Sequence, residues 1–165
     1  MRLSLAYLAD RPEARETLAR WHHDEWGHLL PDWSVAEASA EFATHTGRRV
    51  APTTVIALVD EDLAGSASLL LEDMPGTEAR SPWLASVFVA PEHRGRGIGA
   101  ALVDRVVGDA RHLGFPELFL FTTEAEGWYS ARGWLTRERL RYAGQQAVIM
   151  GLDLNPRGTT FQAMG

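Results

Sequence analysis

Arg94-Gly95-Arg96-Gly97-Ile98-Gly99-Ala100 stands between a β-like run, Trp83 to Val89, and an amphipathic segment that begins at Ile98. Alternate glycines let backbone N–H groups approach an anion without side chains in the way, and a helix N-terminus directly behind them adds partial positive charge. Arg94 and Arg96 place fixed charge beside those amides. These are the parts of a pyrophosphate cradle.

Spacing separates the kinds of cradle. A P-loop needs Lys followed by Ser or Thr after its last glycine, and Ala100-Ala101 stand there instead. Gly95-x-Gly97-x-x-Ala100 matches the relaxed dinucleotide fingerprint, with Glu117 or Glu124 near the place of its ribose-binding acid. That motif opens a βαβαβ half, however, and this loop follows two helices and a hairpin, with too little chain behind it for a second half. A Gly-rich turn that merely caps a helix is the plainest alternative.

The 165 residues fit one domain, expected over 1–154, with 155–165 as a mobile C-terminal tail. An apolar share of 45% is ordinary for a soluble globule, and no apolar run approaches the length of a membrane span. Met1 to Ala9 is too short for a signal peptide and is followed by Asp10, so a cytoplasmic location is the default expectation. Without cysteine there is no disulfide, thiol nucleophile or thiolate metal site, and no metal is expected. A net charge of -6 argues against a nucleic-acid partner, and nothing points to a membrane. Arginines gathered at one loop of an acidic chain favour a local anion site on a surface suited to a cationic second substrate. A homodimer is left open.

Local signals order the chain. Arg2 to Leu8 reads as a strand; Asp10, Pro12 and Glu13 read as a helix start with a capping box, the helix running towards Trp26. Ser34 and Glu37 form a second capping box, with Ala38, Phe42 and His45 on one face and Gly47 at the end. Thr53 to Val59 and Leu63 to Leu71 flank the turn Asp60-Glu61-Asp62; Pro75, Gly76 and Pro82 punctuate a loop before Trp83 to Val89. From Ile98 to Leu113 a stripe of Ile98, Ala101, Leu102, Val106, Ala110 and Leu113 predicts a helix, with Asp104, Arg105, Asp109 and Arg111 mainly off it. Glu117 to Thr123 reads as a strand, Ala125 to Arg132 as a short helix stopped by Gly133, and Leu135 to Tyr142 and Gln146 to Leu154 as a closing hairpin. The order β-α-α-β-β-β-α-β-α-β-β is α+β with a mixed central β-sheet.

Arg94-x-x-Gly97-x-Gly99 after Val87-Phe88-Val89 resembles the acetyl-CoA loop of the GNAT superfamily of N-acyltransferases, and the element order resembles that family over Leu3 to Leu154. The resemblance implies a sheet with a splayed pair of strands and helices on both faces, the strand before the loop parting from its neighbour to admit the pantetheine arm. It implies acetyl-CoA binding at Val87, Phe88, Val89, Arg94, Gly95, Arg96, Gly97, Ile98, Gly99 and Ala100. Backbone N–H groups around Val87 to Val89 would polarise the thioester carbonyl.

Acyl transfer to an amine also needs a proton or hydrogen bond for the departing thiolate and an unprotonated amine. For the first, Trp128-Tyr129-Ser130-Ala131-Arg132-Gly133-Trp134 resembles the family's aromatic-Tyr-x-x-x-Gly-aromatic segment, which makes Tyr129 the catalytic candidate. The amine's base is less visible. Many family members carry Glu near Ala85; here Leu84, Ala85 and Ser86 stand there. Water, Ser86, Glu72, Asp73, His22, His23 and His93 remain as alternatives, each of the histidines reading more simply as a surface residue. Trp26, Trp33, Asp24, Glu25, Asp32, Glu72, Asp73 and Glu78 fall in segments that select the acceptor in this fold, and aromatics with acids suit a small cationic amine or a peptide amino group. The expected activity is therefore direct acetyl transfer from acetyl-CoA to a primary amine. A non-catalytic acyl-CoA-binding module and a nicotinamide-dinucleotide enzyme are the rival readings.

Overall fold

A computed structural model describes residues 1–73, 76–77 and 79–155. Pro75, Glu78 and almost all of the expected tail lie outside the described residues. Seven strands form one sheet: β1 (Leu3–Tyr7), β2 (Thr53–Val59), β3 (Asp62–Leu70), β4 (Trp83–Val89), β5 (Glu117–Thr122), β6 (Leu135–Tyr142) and β7 (Gln145–Asp153). Their spatial order is β1-β2-β3-β4-β5-β7-β6. Every neighbouring pair is antiparallel except β4 and β5, which are parallel and share a single register pair, Trp83 with Phe119. Beyond that pair the two strands part, as the resemblance implied. One parallel pair in a mixed sheet is not the βαβαβ frame of a dinucleotide enzyme.

The helices are α1 (Arg15–Trp26), α2 (Val35–Ala43), α3 (Ile98–His112) and α4 (Glu126–Ser130). β2 is buried along its whole length because helices cover both faces of the sheet. Val55 and Ala57 meet Leu102, Val106 and Ala110 of α3 on one face. Ile56 and Leu58 meet Leu18 and Ala19 of α1 and Phe42 of α2 on the other. Fully burying an aliphatic side chain of this size contributes roughly 1.5–3 kcal/mol, so the alternation along β2 fastens all three helices.

Three local expectations are corrected. Asp10 and Glu13 form no capping box: two short 3-10 turns, Leu8–Asp10 and Pro12–Ala14, precede α1, whose N-cap Ala14 has no side-chain bond. Asp10 is instead taken by Arg48, with both nitrogens at 2.6 Å. The second capping box does form, Ser34 Oγ accepting from the Glu37 N–H at 3.1 Å, although α2 stops at Ala43, before Gly47. Asp109, placed off the α3 stripe by its charge, is 3% exposed. Its carboxylate accepts from the Tyr7 hydroxyl at 2.9 Å and from Arg49 Nε at 3.3 Å, a clip between α3 and the β1 side of the sheet. These residues, with Asp104, Arg105 and Gly108, line an open cleft of about 410 Å³ near the C-terminal half of α3, away from the glycine loop.

Candidate active site

The parting of β4 from β5 has a backbone cause. Ser68 pairs with Ala85 and Ser66 with Phe88, so β4 carries one residue more than β3 between those points. Ser86 takes the extra place with φ 56°, a β-bulge in the left-handed region. Ser86 and Val87 have no register partner on either neighbour. The bulge also restores phase. Leu84, Val87 and Val89 all face the α3 core, while Phe88 turns to α1 and packs against Trp21, His22 and Trp26 at centroid distances of 5.6, 5.7 and 6.1 Å. Gly65 permits this close approach, because a Cβ there would run into the Phe88 carbonyl oxygen.

At the end of β4 the chain makes a 3-10 turn, Pro91–His93, and enters the glycine loop. Gly95 and Gly97 have φ of 78° and 79°, and Gly97 is the N-cap of α3. A Cβ built on either meets nothing within 4 Å, so the space before the loop is open for a ligand. The Ile98 side chain is buried in the α3 core, and a Cβ on Gly99 would approach Val89 at 3.7 Å. What Ile98, Gly99 and Ala100 present outward is backbone N–H at a helix start, where no intrahelical acceptor exists. This arrangement fits a pyrophosphate.

The two arginines behave differently from simple flanking charges. Arg94 turns back: its Nε donates to the Val89 carbonyl at 2.8 Å, its guanidinium lies 5.6 Å from the Phe88 ring centroid, and Glu25 of α1 is 3.8 Å away. Arg96 is exposed and, among the described residues, makes only a 3.9 Å contact to the Met1 sulfur.

α4 follows β5 as the glycine loop follows β4, so in this parallel pair both lie at the same end of the sheet. Thr122 Oγ1 starts the turn by accepting from the Ala125 N–H at 3.0 Å, and Gly133, with φ 94°, ends it. Tyr129 is 7% exposed between Trp128 and Trp134, in edge contact with both rings, and belongs to the core that holds Val87 and Val89. Among the described residues its hydroxyl makes no hydrogen bond. Burial pushes its pKa up to about 12, with Arg132 opposing, so the phenol stays protonated at neutral pH.

On the opposite face His22, which the sequence left as a surface residue, forms a buried polar layer with His45, already placed on the apolar face of α2's sequence stripe. His22 is 2% exposed, with Nε2 3.1 Å from Ser66 Oγ, and burial lowers its pKa to about 3, the nearby His45 adding to the effect. His45 Nδ1 lies 2.8 Å from Thr54 Oγ1, itself 2.7 Å from Ser68 Oγ; burial lowers the His45 pKa to about 4. His23 points elsewhere, to the Trp33 carbonyl at 3.0 Å. Of the acids named from sequence, Asp24, Glu25, Asp32 and Glu72 are exposed, whereas Asp73 is partly buried. Burial, and then the Glu41 carboxylate, pushes the Asp73 pKa up to about 7. Sequence reading missed Glu41, Phe121 and Tyr142 as neighbours of this region. The Ser86 bulge was legible only as a broken alternation, two residues intervening between the inward Leu84 and Val87.

A sheet with one splayed parallel pair, a glycine cradle at its open end and a buried tyrosine beside it defines an acyl-CoA-type transferase frame. The model of the Acetyltransferase (GNAT) family matches residues 15–134. The chain belongs to the GNAT family of acetyltransferases. An amino-acid acetyltransferase of Pseudomonas syringae pv. tomato is 38% identical over 83 residues, which make up 50% of this chain and 19% of that protein. The chain thus spans about a fifth of the length of that relative. The N-acetyltransferase of Staphylococcus aureus Mu50 superposes with a TM-score of 0.71 at 14% identity, covering 94% of this chain and 100% of the other. N-acetylglutamate synthase from Neisseria gonorrhoeae, solved with coenzyme A and N-acetyl-glutamate, gives 0.65 at 23% identity, covering 94% of this chain and 36% of that one. At these identities the structures speak to the fold.

Proposed function

We propose that the protein transfers the acetyl group of acetyl-CoA directly to a primary amine of a small molecule or peptide. The observation that carries the reading is the β4–β5 wedge itself. It opens between Ser86–Val87 of β4, which have no register partner, and the end of β5 beyond Phe119, with the cradle of Gly95, Gly97 and the first N–H groups of α3 at its mouth. The cradle would hold the pyrophosphate, N–H groups of the bulge would polarise the thioester oxygen, and Tyr129 would face the sulfur. A phenol held near 12 is a weak acid beside a thiol of ordinary pKa about 8.5, so Tyr129 acts first as a hydrogen-bond donor to the departing thiolate.

Arg96 stands free to meet phosphate, whereas Arg94 serves the loop from behind by holding it to the end of β4. Exposed Asp24, Glu25, Asp32 and Glu72 favour an acceptor that arrives as a cation, and the amino-acid acetyltransferase relatives favour a small amine-bearing one. The test is release of free thiol from acetyl-CoA with a panel of L-amino acids, tyramine, spermidine and short peptides, products being identified by mass spectrometry. Acetylated amine in step with thiol release supports the reading. Binding of acetyl-CoA without turnover of any of them would leave the non-catalytic module as the better description.

A further inference from the structure

The cleft beside Tyr7 and Asp109 holds three features that the fold itself does not require. Gly108 stands inside α3 without a left-handed φ, and a Cβ built on it meets nothing within 4 Å. Neither backbone geometry nor packing calls for glycine there, although glycine in a helix interior is destabilising relative to alanine. Its effect is to leave the wall of the cleft open and the backbone within reach. Arg49 has φ 63°, a left-handed backbone that is costly for a residue with a side chain. The Nε bond to Asp109 and the grip of Arg48 on Asp10 hold it there. Arg105, three residues before Gly108, lies over the Tyr7 ring at 5.7 Å and makes no ion pair among the described residues.

Charge decides what the cleft can take. The buried Asp109 carboxylate already accepts from the Tyr7 hydroxyl and from Arg49 Nε, at 2.9 and 3.3 Å. Arg49 commits only Nε to a hydrogen bond among the described residues, which leaves its two terminal nitrogens for an outside acceptor. With Arg105 the cleft offers two guanidinium groups, the side chains best suited to grip a carboxylate through paired N–H groups. Exposed Asp104 and buried Asp109 bring the formal charge of the lining to zero. A dianion would meet two carboxylates along with the two cations, and a simple cation would meet two guanidiniums. A ligand that carries one charge of each sign, set a few bonds apart, has no such conflict.

We propose that this cleft is a second small-molecule site, which binds a zwitterionic α-amino acid with its carboxylate on Arg49 and Arg105 and its ammonium group on Asp104. Its volume of about 410 Å³ lies within the range of about 300–1,000 Å³ usual for ligand pockets. From Ile98 to Asp109 α3 rises about 16 Å, so the occupant stands clear of the glycine cradle and is bound without being acetylated.

The test uses the whole chain without acetyl-CoA, so that no turnover intrudes. Proton–nitrogen NMR of the backbone amides follows titration with L-alanine, L-leucine and L-glutamine near neutral pH, with acetate, methylammonium and inorganic phosphate for comparison. At least one amino acid should shift the Tyr7, Arg105 and Gly108 amides saturably, and each comparison ion should bind about 10-fold or more weakly than it does. Arg105→Ala should weaken that amino acid by a similar factor. Gly108→Leu favours the helix but fills the opening, so it should raise Tm or leave it unchanged while weakening binding as much. Arg105 is partly exposed, and Arg105→Ala decides alone should Gly108→Leu fold poorly. Gly97→Glu, at the cradle, should bind the amino acid as the wild type does. Shifts with none of the amino acids, or binding undiminished in Arg105→Ala, overturn the site. Shifts confined to the glycine loop and α4, or lost in folded Gly97→Glu, assign the amino acid to the acetylation site and overturn it equally. Phosphate or acetate bound as tightly as the amino acid overturns the zwitterion as its ligand.

Discussion

His22 makes the fold sensitive to acid in a way that can be measured residue by residue. Its imidazole is 2% exposed, bonded to Ser66, and ringed by Trp26, Phe42 and Phe88. Burial lowers its pKa from 6.5 to about 3. The folded state therefore refuses a proton that the unfolded chain accepts. Stability is fully present above 6.5 and is lost progressively as pH falls towards the folded value. At about pH 5 the unfolded His22 is almost wholly charged and the folded one almost wholly neutral, which removes roughly 2 kcal/mol relative to about pH 7.5. That is a substantial part of a typical domain stability of about 5–15 kcal/mol. His45 shifts in the same direction and adds to the loss. Urea unfolding at the two pH values reads the effect, which corresponds to roughly 1 M in midpoint. His22→Gln keeps a hydrogen-bonding group near Ser66 but cannot ionise. It should be less stable than wild type at about pH 7.5 and lose about 2 kcal/mol less on acidification. If variant and wild type lose equal stability between those pH values, His22 is not buried as a neutral base and the polar layer has been misread.

Other consequences follow from the site. Gly97→Glu places a side chain and a negative charge in the open space before α3, on a backbone at φ 79°, and should abolish acetyl-CoA binding in calorimetry; Gly97→Ala, which adds strain of about 1 kcal/mol or more but little bulk, should weaken it far less. Wild-type affinity in folded Gly97→Glu would move the cradle elsewhere. Tyr129→Phe should lower kcat by about 10- to 100-fold, at or below the low end of general acid–base effects because a thiolate leaves readily, with the Kd for acetyl-CoA nearly unchanged in direct titration. Full kcat with a chemistry-limited acceptor would remove Tyr129 from the mechanism. With acetyl-CoA saturating, kcat/KM for a cationic acceptor should fall as salt rises, since attraction to the acidic rim is screened within about 8 Å at physiological ionic strength. Indifference to salt, or preference for an anionic acceptor, would end the electrostatic part of the reading.

Local chemistry made much of this molecule legible before any contact was known. Gly95 and Gly97 had to take the left-handed backbone of a turn before a helix, Ser34 and Glu37 had to start a helix, and the Ile98–Ala110 stripe had to face a core. Each of these depends on a residue and its near neighbours along the chain, through φ, a capping bond or helical period. The family loop and the Tyr129 segment were readable for the same reason: both are short, contiguous turns tied to the end of a strand. What tertiary structure alone decided was the environment of polar groups. His22 resembles His23 in sequence, yet one lies under Phe88 against Ser66 and the other reaches the Trp33 carbonyl, because adjacent helical positions point in different directions. Asp10 could cap α1 by local rules, but Arg48, distant in sequence, claims its carboxylate. Asp73 is one acid among several in a loop until burial and Glu41 raise it above the rest. Desolvation and like-charge repulsion depend on what the fold brings from elsewhere in the chain, and no local pattern carries that information.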